Sequence, residues 1–534
     1  MRSNVIRSGS RPMRRCSAVL LAALAAAAPA LAEDGRRLVL AVGGEPDGGF
    51  DPIMGWGRYG NPLFQATLLR LDPSLELVGD LATGWRLSED RLTWTVDIRT
   101  GARFSDGTPL TAEDVAFTYN AARDAGGLAD LKALREARVV DADTVALELQ
   151  APRITFLHQM ASLGIVPADR YGEGYGRAPL GAGPFRMVEW REGEQLVVEP
   201  NPHWHGGEIA FERISFVFGS EQAGMALARS GAAHLVAVPP AQAGTPPSGM
   251  RTHAAETVDN RGLMFPMVPN EGRSTEAGAP IGNDVTADRA IRVAVNQALD
   301  REALVALALD GRGRPAWGPA DGLPWDNPDA RLDETGAEAA RATLEAAGWT
   351  DEDGDGVREK DGLRAAFRIV YPASDSTRQA LALGAASQLR AVGIAAEPAG
   401  ESWDRIAGLK HSEVVTFGWG AHDPSEIYNL HHGANAGVEW WNAGFYDNPV
   451  VNAHFDAAVA AESFTASLPH WRAAQWDGET GFGPKGDATW AWMVNLEHAY
   501  WAEECLDLGA PQMHPHGHGF PITHDLPNWR WTCG

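Results

Sequence analysis

The chain has 534 residues, of which 44% are hydrophobic and 22% charged, and its formal net charge is −25. That length exceeds a single compact core and sets two or three domains as the expectation, while the apolar content, with 19 Trp and 17 Phe, excludes wholesale disorder. The acidic balance excludes nucleic acid as a partner, because phosphates are repelled.

Residues 1–32 read as a leader. Arg2, Arg7, Arg11, Arg14 and Arg15 make a basic start, "CSAVLLAALAAAAPALA" (Cys16 to Ala32) is small and apolar, and Ala30-Leu31-Ala32 is an A-x-A signal ahead of Glu33-Asp34. This is the pattern of a secretory signal cleaved after Ala32, which makes the mature protein periplasmic. Cys16 opens the apolar stretch instead of closing it, which argues against lipoprotein processing. Arg14-Arg15 keeps twin-arginine export open beside the general route. No later stretch is apolar for long enough to span a bilayer. Cys505 and Cys533 remain after cleavage, and an oxidising compartment favours a disulfide that pins the C-terminal tail to "YWAEECLDLG".

From Arg37 onward strands and helices alternate. "RLVLAVG" reads as a strand, and "LTWTVDIRTGARF" as another, with Thr93, Thr95 and Asp97 on one face and Trp94, Val96 and Ile98 on the other. Asp106-Gly107 turns into a helix over "TAEDVAFTYNAARDAG", where Thr111 is the N-cap and Asp114 completes a capping box. "ARVVDADTVALELQAP" is a hairpin turning near Asp141 to Asp143, and "FRMVEWREGEQLVVEPNPHW" a second one turning at Glu192-Gly193. "DRAIRVAVNQALDREALVALAL" is helical and broken at Asp300; "TGAEAARATLEAAGW" is a helix stopped by Gly348. "LRAAFRIVYPAS" is a strand, "STRQALALGAASQLRAVGI" a helix and "SEVVTFGWG" a strand. "AQAGTPPSGM" and "PNEGRSTEAGAPIGND" read as loops. Short strands mixed with medium helices indicate an α/β or α+β architecture.

Five stretches, in order, resemble one family: "LFQATLLRLDPSLELVGDLATGWRLSEDRLTWTVDIRTGARFSDGTPLTAEDVAFTYNAARD", "GAGPFRMVEWREGEQLVVEPNPHWHGG", "DVTADRAIRVAVNQALDREALV", "LEAAGWTDEDGDGVREKDG" and "YDNPVVNAHFDAAVAAE". They are similar to the signatures of the extracellular solute-binding proteins of ABC importers, peptide/nickel (family 5) type. The resemblance implies an α/β, two-lobed periplasmic-binding-protein fold (type II-like) with a hinge and an extra subdomain in the first lobe. It implies a first lobe over residues 33–275, with the extra subdomain over about 70–190, a second lobe over 276–489, and a return to the first lobe over 490–534. Ligand that touches both lobes only when they are closed shifts the hinge equilibrium, and an ABC permease in the inner membrane then recognises the closed form. A monomer is expected.

The chemistry concentrates in "FGWGAHDPSEIYNLHHG", Phe417 to Gly433. Peptide binders of the family often read Trp-Gly-Ala-Asp here, and their Asp pairs with the ligand's ammonium. Trp419-Gly420-Ala421 match, but His422 follows and Asp423 comes one position late. Asp423 in that role keeps an amine-bearing ligand; His422 in that role favours a metal complex or a carboxylate; a plain turn leaving a strand needs neither. His431 and His432 join His422 as metal candidates. Arg58 and Tyr59 of "MGWGRYG", Arg153, Trp419 and Trp441 are candidate cleft residues, with Arg153 placed to meet a ligand carboxylate.

Two further patterns stand apart. Eleven of the 16 histidines and 10 of the 19 tryptophans lie in residues 411–534, and "MHPHGHGFPITHDLPNWRW" puts His514, His516 and His518 on one face if extended. Imidazoles so presented bind transition metals, whereas Pro515, Gly517 and Gly519 favour a bent tail packed on the first lobe through Trp529 and Trp531. "DEDGDG" matches the first half of a calcium loop through Asp351, Asp353 and Asp355, but its twelfth position is Gly362, so Glu359 or Asp361 must substitute.

The expected function is therefore solute capture for an ABC importer, with a peptide or related amine-bearing ligand. The alternative is a receptor for a nickel or other transition-metal complex, and the remote ones are a ligand sensor and a secreted metalloenzyme. H-E-x-x-H and G-x-S-x-G are both absent, so no catalytic residue and no required cofactor is expected.

Overall fold

The structure, a computed structural model, describes residues 36–46, 48–59, 61–126 and 130–533. The expected leader and its cleavage site lie outside the described residues.

The main sheet has 11 strands. Ten of them are β1 (Arg37–Ala41), β6 (Phe185–Arg191), β7 (Gln195–Pro200), β8 (Arg213–Val217), β9 (Leu235–Val238), β10 (Met250–Met264), β11 (Ala366–Pro372), β12 (Ala395–Glu401), β13 (Val414–Phe417) and β14 (Trp490–Glu503). They run in the order β12-β11-β13-β10-β14-β9-β1-β8-β7-β6, and Gly313–Pro315 adds an edge on β14. A separate sheet of β2 (Ala82–Leu87), β3 (Thr93–Ile98), β4 (Leu134–Asp141) and β5 (Thr144–Leu149) is ordered β2-β3-β5-β4. With α1 (Ala112–Ala125) it forms the extra subdomain, whose core includes Trp94, Val96, Tyr119 and Leu147. β3 alternates as its sequence requires: Trp94, Val96 and Ile98 are buried and the residues between are half-exposed. The capping box of α1 closes with the Thr111 N–H donating to Asp114 Oδ2 at 2.8 Å.

The two lobes share β10 and β14. These strands have 15 and 14 residues, roughly 50 Å at 3.4 Å per residue, and pair antiparallel from Met250↔Glu503 to Met264↔Trp490. Strands this long serve two cores in succession. Ala255, Tyr500 and Ala502 pack in the first-lobe core with Leu40, Phe216 and Leu235. Leu263, Ala491 and Val494 pack in a second core with Ile291 of α2 (Arg289–Ala298), Leu304 of α3 (Arg301–Leu309) and Leu381 of α4 (Ser376–Arg390). The chain therefore passes between the cores inside β10, ahead of the position near 275 read from the sequence, and returns inside β14. Between the two cores the register of the pair shifts, from Glu256 to Asn260.

The tail folds back on the first lobe. Trp529 is 1% exposed in that core beside Phe520, Ile522 and Leu526, and Trp531 packs edge-on to Phe211 and His234. Cys505 and Cys533 are disulfide-bonded across a separation of 28 residues. No helix among the described residues is long and apolar enough to cross a membrane.

Candidate functional site

A cavity of about 140 Å³ opens between the lobes. The first lobe lends it Arg58, Tyr59, His158 and Gln159; the second lends Trp419, His422, Asp423, Glu426 and Trp441; the tail adds Pro515. The second-lobe residues are placed by the exit from β13. Gly418 and Gly420 let this turn lie against β10: a Cβ at Gly418 would stand 1.9 Å from Asn260 O, and one at Gly420, where φ is 156°, 2.5 Å from Val258 O. Between them the Trp419 N–H donates to Asn260 Oδ1 and the Asn260 N–H to Trp419 O, each at 3.0 Å. Pro424 then starts α5 (Ser425–His431). Trp419 stacks on Trp441 with ring centroids 4.4 Å apart, and its indole Nε1 has no hydrogen-bond partner among the described residues.

The charges in this cavity are unevenly satisfied. Asp423 accepts from the Ser425 N–H at 2.8 Å and from Gln159 Nε2 at 3.3 Å, and His158 Nδ1 lies 3.8 Å away. No arginine or lysine pairs with it among the described residues. Burial pushes the pKa of His158 down despite Asp423, so this neighbour stays neutral. Burial likewise raises Glu426 to about 8, against its hydrogen bonds from the 420 and 421 amides, so that carboxyl is protonated at neutral pH. His422, 7% exposed, is pushed down to about 3 by burial and the neighbouring His158 and His524, and its Nε2 has no partner among the described residues. Across the cavity, Arg58 Nη2 donates to the Tyr59 hydroxyl at 3.1 Å, and burial drives that phenol up to about 12.

Behind the cavity the hinge is cross-linked by polar groups. Asp259, 2% exposed, receives His516 Nδ1 at 2.5 Å, His498 Nε2 at 3.2 Å and the Arg261 guanidinium. Burial alone would raise this carboxyl, but Arg261, His516 and the two imidazole hydrogen bonds outweigh it and hold it well below the usual range. The tail inserts here: the His514 N–H donates to Glu256 O at 2.8 Å and the His516 N–H to Gly420 O at 2.7 Å.

Several sequence candidates land elsewhere. Arg153 pairs with Asp130 at 3.4 Å and lies over the Tyr428 ring, so it does not line the cavity where a ligand carboxylate was expected. His431 is wholly buried, stacked 3.8 Å from Phe482 with Nδ1 on Ile427 O. His432 stacks on Tyr428 and faces Asp456. Neither reaches the cavity, because the turn of α5 carries both toward the Phe455 and Phe482 core. The tail histidines diverge as well: His514 Nδ1 meets His498 at 3.3 Å, His516 holds Asp259, and His518 stacks on Tyr59 at 6.0 Å. In the acidic loop Asp351, Asp353 and Glu359 bring oxygens within 4.8 Å of one another. Asp355 instead pairs with Arg364 at 2.7 Å, because Arg364 projects from the facing arm of the hairpin. His158, Gln159, Glu426 and Asp259 were not singled out from sequence, and Asp259-Asn260-Arg261 does not stand out in a strand that also carries Arg251, His253 and Glu256.

With this geometry in place, comparison with known proteins decides the family. The profile of the bacterial extracellular solute-binding proteins, family 5 (middle region), matches residues 76–480. The chain belongs to that family. As a family-5 protein it is the solute-binding component of an ABC importer. It is 33% identical over 490 residues to Protein XP55 of Streptomyces lividans, covering 88% of this chain and 85% of that one. It is 25% identical over 390 residues to the oligopeptide-binding protein AppA of Bacillus subtilis, covering 68% and 69%. Its fold matches that of NikZ from Campylobacter jejuni, solved in complex with Ni(L-His), with a TM-score of 0.76, 19% identity and coverage of 93% and 100%. It also matches AppA from B. subtilis in complex with a nonapeptide, with a TM-score of 0.72, 21% identity and coverage of 93% and 99%.

Proposed function

We propose that this family-5 protein works in the periplasm as a monomer, after removal of its leader at Ala32, and captures a peptide or related amine-bearing small ligand for an inner-membrane permease. The observation that carries this reading is Asp423. It is an acid in the interlobe cavity with no cationic side chain paired to it among the described residues, next to a histidine that burial keeps neutral. Asp423 is half-buried and accepts only from the Ser425 N–H and Gln159, so a ligand ammonium supplies the opposite charge it lacks and adds specificity. Glu426 supports the assignment, since burial keeps it protonated and it therefore offers no charge to an ammonium. The relative AppA of B. subtilis is named as an oligopeptide-binding protein. Binding is without turnover.

A second reading is a metal-complex receptor, in which His422 supplies one neutral nitrogen to cargo that carries its other ligands with it. It is favoured by His422, which lines the cavity and whose buried Nε2 has no partner among the described residues, and by the fold shared with NikZ. Native mass spectrometry of protein purified without metal resin, paired with metal analysis, separates the two. An amine-bearing organic mass without metal is the expected result. Stoichiometric nickel, copper or zinc that is lost in His422→Ala would overturn it in favour of the metal complex.

A further inference from the structure

We propose that the extra subdomain carries a clasp that holds the two lobes together without ligand, in which Arg91 and Arg153 grip the second lobe outside the interlobe cavity.

The second-lobe half of the clasp is a helix end. α6 (Pro449–Val459) finishes in Asp456-Ala457-Ala458-Val459. The last carbonyls of a helix lack partners within it, and the negative end of the helix dipole lies there, so the end calls for donors and a cation. α6 has no basic residue in its last turn and has an acid there instead. The donors come from the other lobe. The Ile154 N–H donates to Val459 O at 2.8 Å, and the Arg91 guanidinium donates to Ala460 O.

Arg91 stands in the turn of the β2–β3 hairpin, where its backbone is left-handed with φ of 61°. Glycine adopts that conformation without steric cost and an L side chain does not. The turn itself is held by other groups: the Arg91 N–H donates to Ser88 O at 2.9 Å and the Leu92 N–H to Asp90 Oδ1 at 3.0 Å. The turn therefore has no use for the arginine side chain, and the contact with the second lobe has.

Arg153 makes the second contact. Asp130 holds its guanidinium at 3.4 Å, and the guanidinium lies 4.6 Å from the ring centroid of Tyr428 on α5. The Arg153 side chain is only 17% exposed, and a cation over an aromatic face is attracted more strongly when desolvated. The third contact is apolar. Phe464, which opens α7 (Phe464–Gln475), packs on the subdomain core and on a second-lobe core at once, with its ring 5.2 Å from that of His158.

Arg91, Arg153, Ile154, Val459 and Phe464 do not line the cavity, so these contacts need no cargo. Their partners lie on opposite sides of the hinge, so opening the lobes breaks them together. The clasp thus stabilises the closed form before any ligand binds and shifts the hinge equilibrium toward it.

Hydrogen exchange at the Ile154 amide reads the clasp directly, because its partner is on the other lobe. The mature protein is refolded from guanidinium, and native mass spectrometry confirms that it holds no bound mass. Wild type is expected to exchange Ile154 slowly in this ligand-free state. Arg91→Gly, which suits the left-handed turn, combined with Arg153→Gln is expected to exchange it about tenfold faster or more and to enlarge the radius of gyration in solution scattering. Arg91→Lys keeps a cation at the helix end and is expected to stay near wild type. The β3 amides, inside the subdomain sheet, report whether the double variant stays folded; if they lose protection, Arg91→Gly alone is read the same way. Ile154 exchanging as fast in ligand-free wild type as in the variant overturns the proposal, because the lobes then part without cargo. Slow exchange retained in the variant also overturns it, because the arginines then hold nothing.

Discussion

His431 makes the acid stability of this protein a sharp test of its packing. The ring is wholly buried, lies 3.8 Å from Phe482 face to face, and is pushed by burial down to about 3. In the unfolded chain an imidazole takes its proton near pH 6.5. Below that pH the unfolded state therefore binds more protons than the folded one, and stability falls as pH falls. His431 contributes its full stability above about pH 6.5 and loses it progressively toward pH 3. Between pH 7 and pH 5 the loss is about 2 kcal/mol, from the unfolded-state titration alone. His422, 7% exposed and also pushed to about 3, costs a similar amount. These are large fractions of a typical stability of about 5–15 kcal/mol. Replacing His431 by Phe keeps an aromatic ring against Phe482 and removes the titration. Urea unfolding followed by tryptophan fluorescence at pH 7 and pH 5 should show the variant losing about 2 kcal/mol less than wild type over that interval. An identical pH dependence in the two proteins would mean that His431 protonates inside the folded state, and the packing argument would fail.

Glu426 has the opposite sign. Its raised pKa of about 8 means the folded state holds a proton that the unfolded chain gives up near pH 4.5, so its contribution is present in acid and lost as pH rises toward 8; Glu426→Gln should flatten the decline in melting temperature between pH 6 and pH 8. Asp423→Asn should weaken an amine-bearing ligand by about 2 kcal/mol or more in calorimetry, and by nothing if the ligand is held through His422. Reduction of Cys505–Cys533 releases a loop closed across 28 residues, and chain entropy sets the cost at about 3–4 kcal/mol in denaturant unfolding; a much smaller change would show that the tail is held by Trp529 packing alone. Millimolar calcium should leave the melting temperature unchanged, because the Arg364 guanidinium already stands beside Asp353, Asp355 and Glu359; a clear rise would show that calcium displaces it.

Much of the scaffold was legible because local signals and tertiary packing agree. Thr111 with Asp114 marks the start of α1, Asp300 separates α2 from α3 through its cap on the Ala303 N–H, and the alternation in Thr93–Ile98 predicts which face is buried. Trp419 and Asp423 were legible because a short motif ties them to one turn. The partners were not. His158 and Gln159 sit in "FLHQMASLG", which carries no pattern beyond an apolar helix, and they reach Asp423 only because the subdomain folds against the second lobe across 264 positions of sequence. Arg58 and Arg153 look equivalent as isolated arginines; they differ because Asp130 meets Arg153, whereas among the described residues no carboxylate meets Arg58.

The histidine tail shows what residue type and spacing alone leave open. His514, His516 and His518 alternate as metal ligands in a strand would, yet each is oriented by a different neighbour. His514 bonds through its backbone to Glu256 and Val258, on the stretch where β10 passes between the cores, and its ring meets His498 of β14. His516 joins Asp259 of the first hinge strand to Gly420 at the cavity's rim. His518 braces Tyr59 at the cavity wall. Three alternating imidazoles therefore tie hinge, second-lobe turn and first-lobe wall to one tail, whose far end is fixed by Trp529 and the disulfide. A segment fixed at one end and bonded to both hinge strands and to the turn that carries Asp423 must share in any rotation of the lobes. These buried polar groups join elements of both lobes, and Asp259 and Asn260 of β10 supply two of the contacts, to His516 and to the Trp419 N–H.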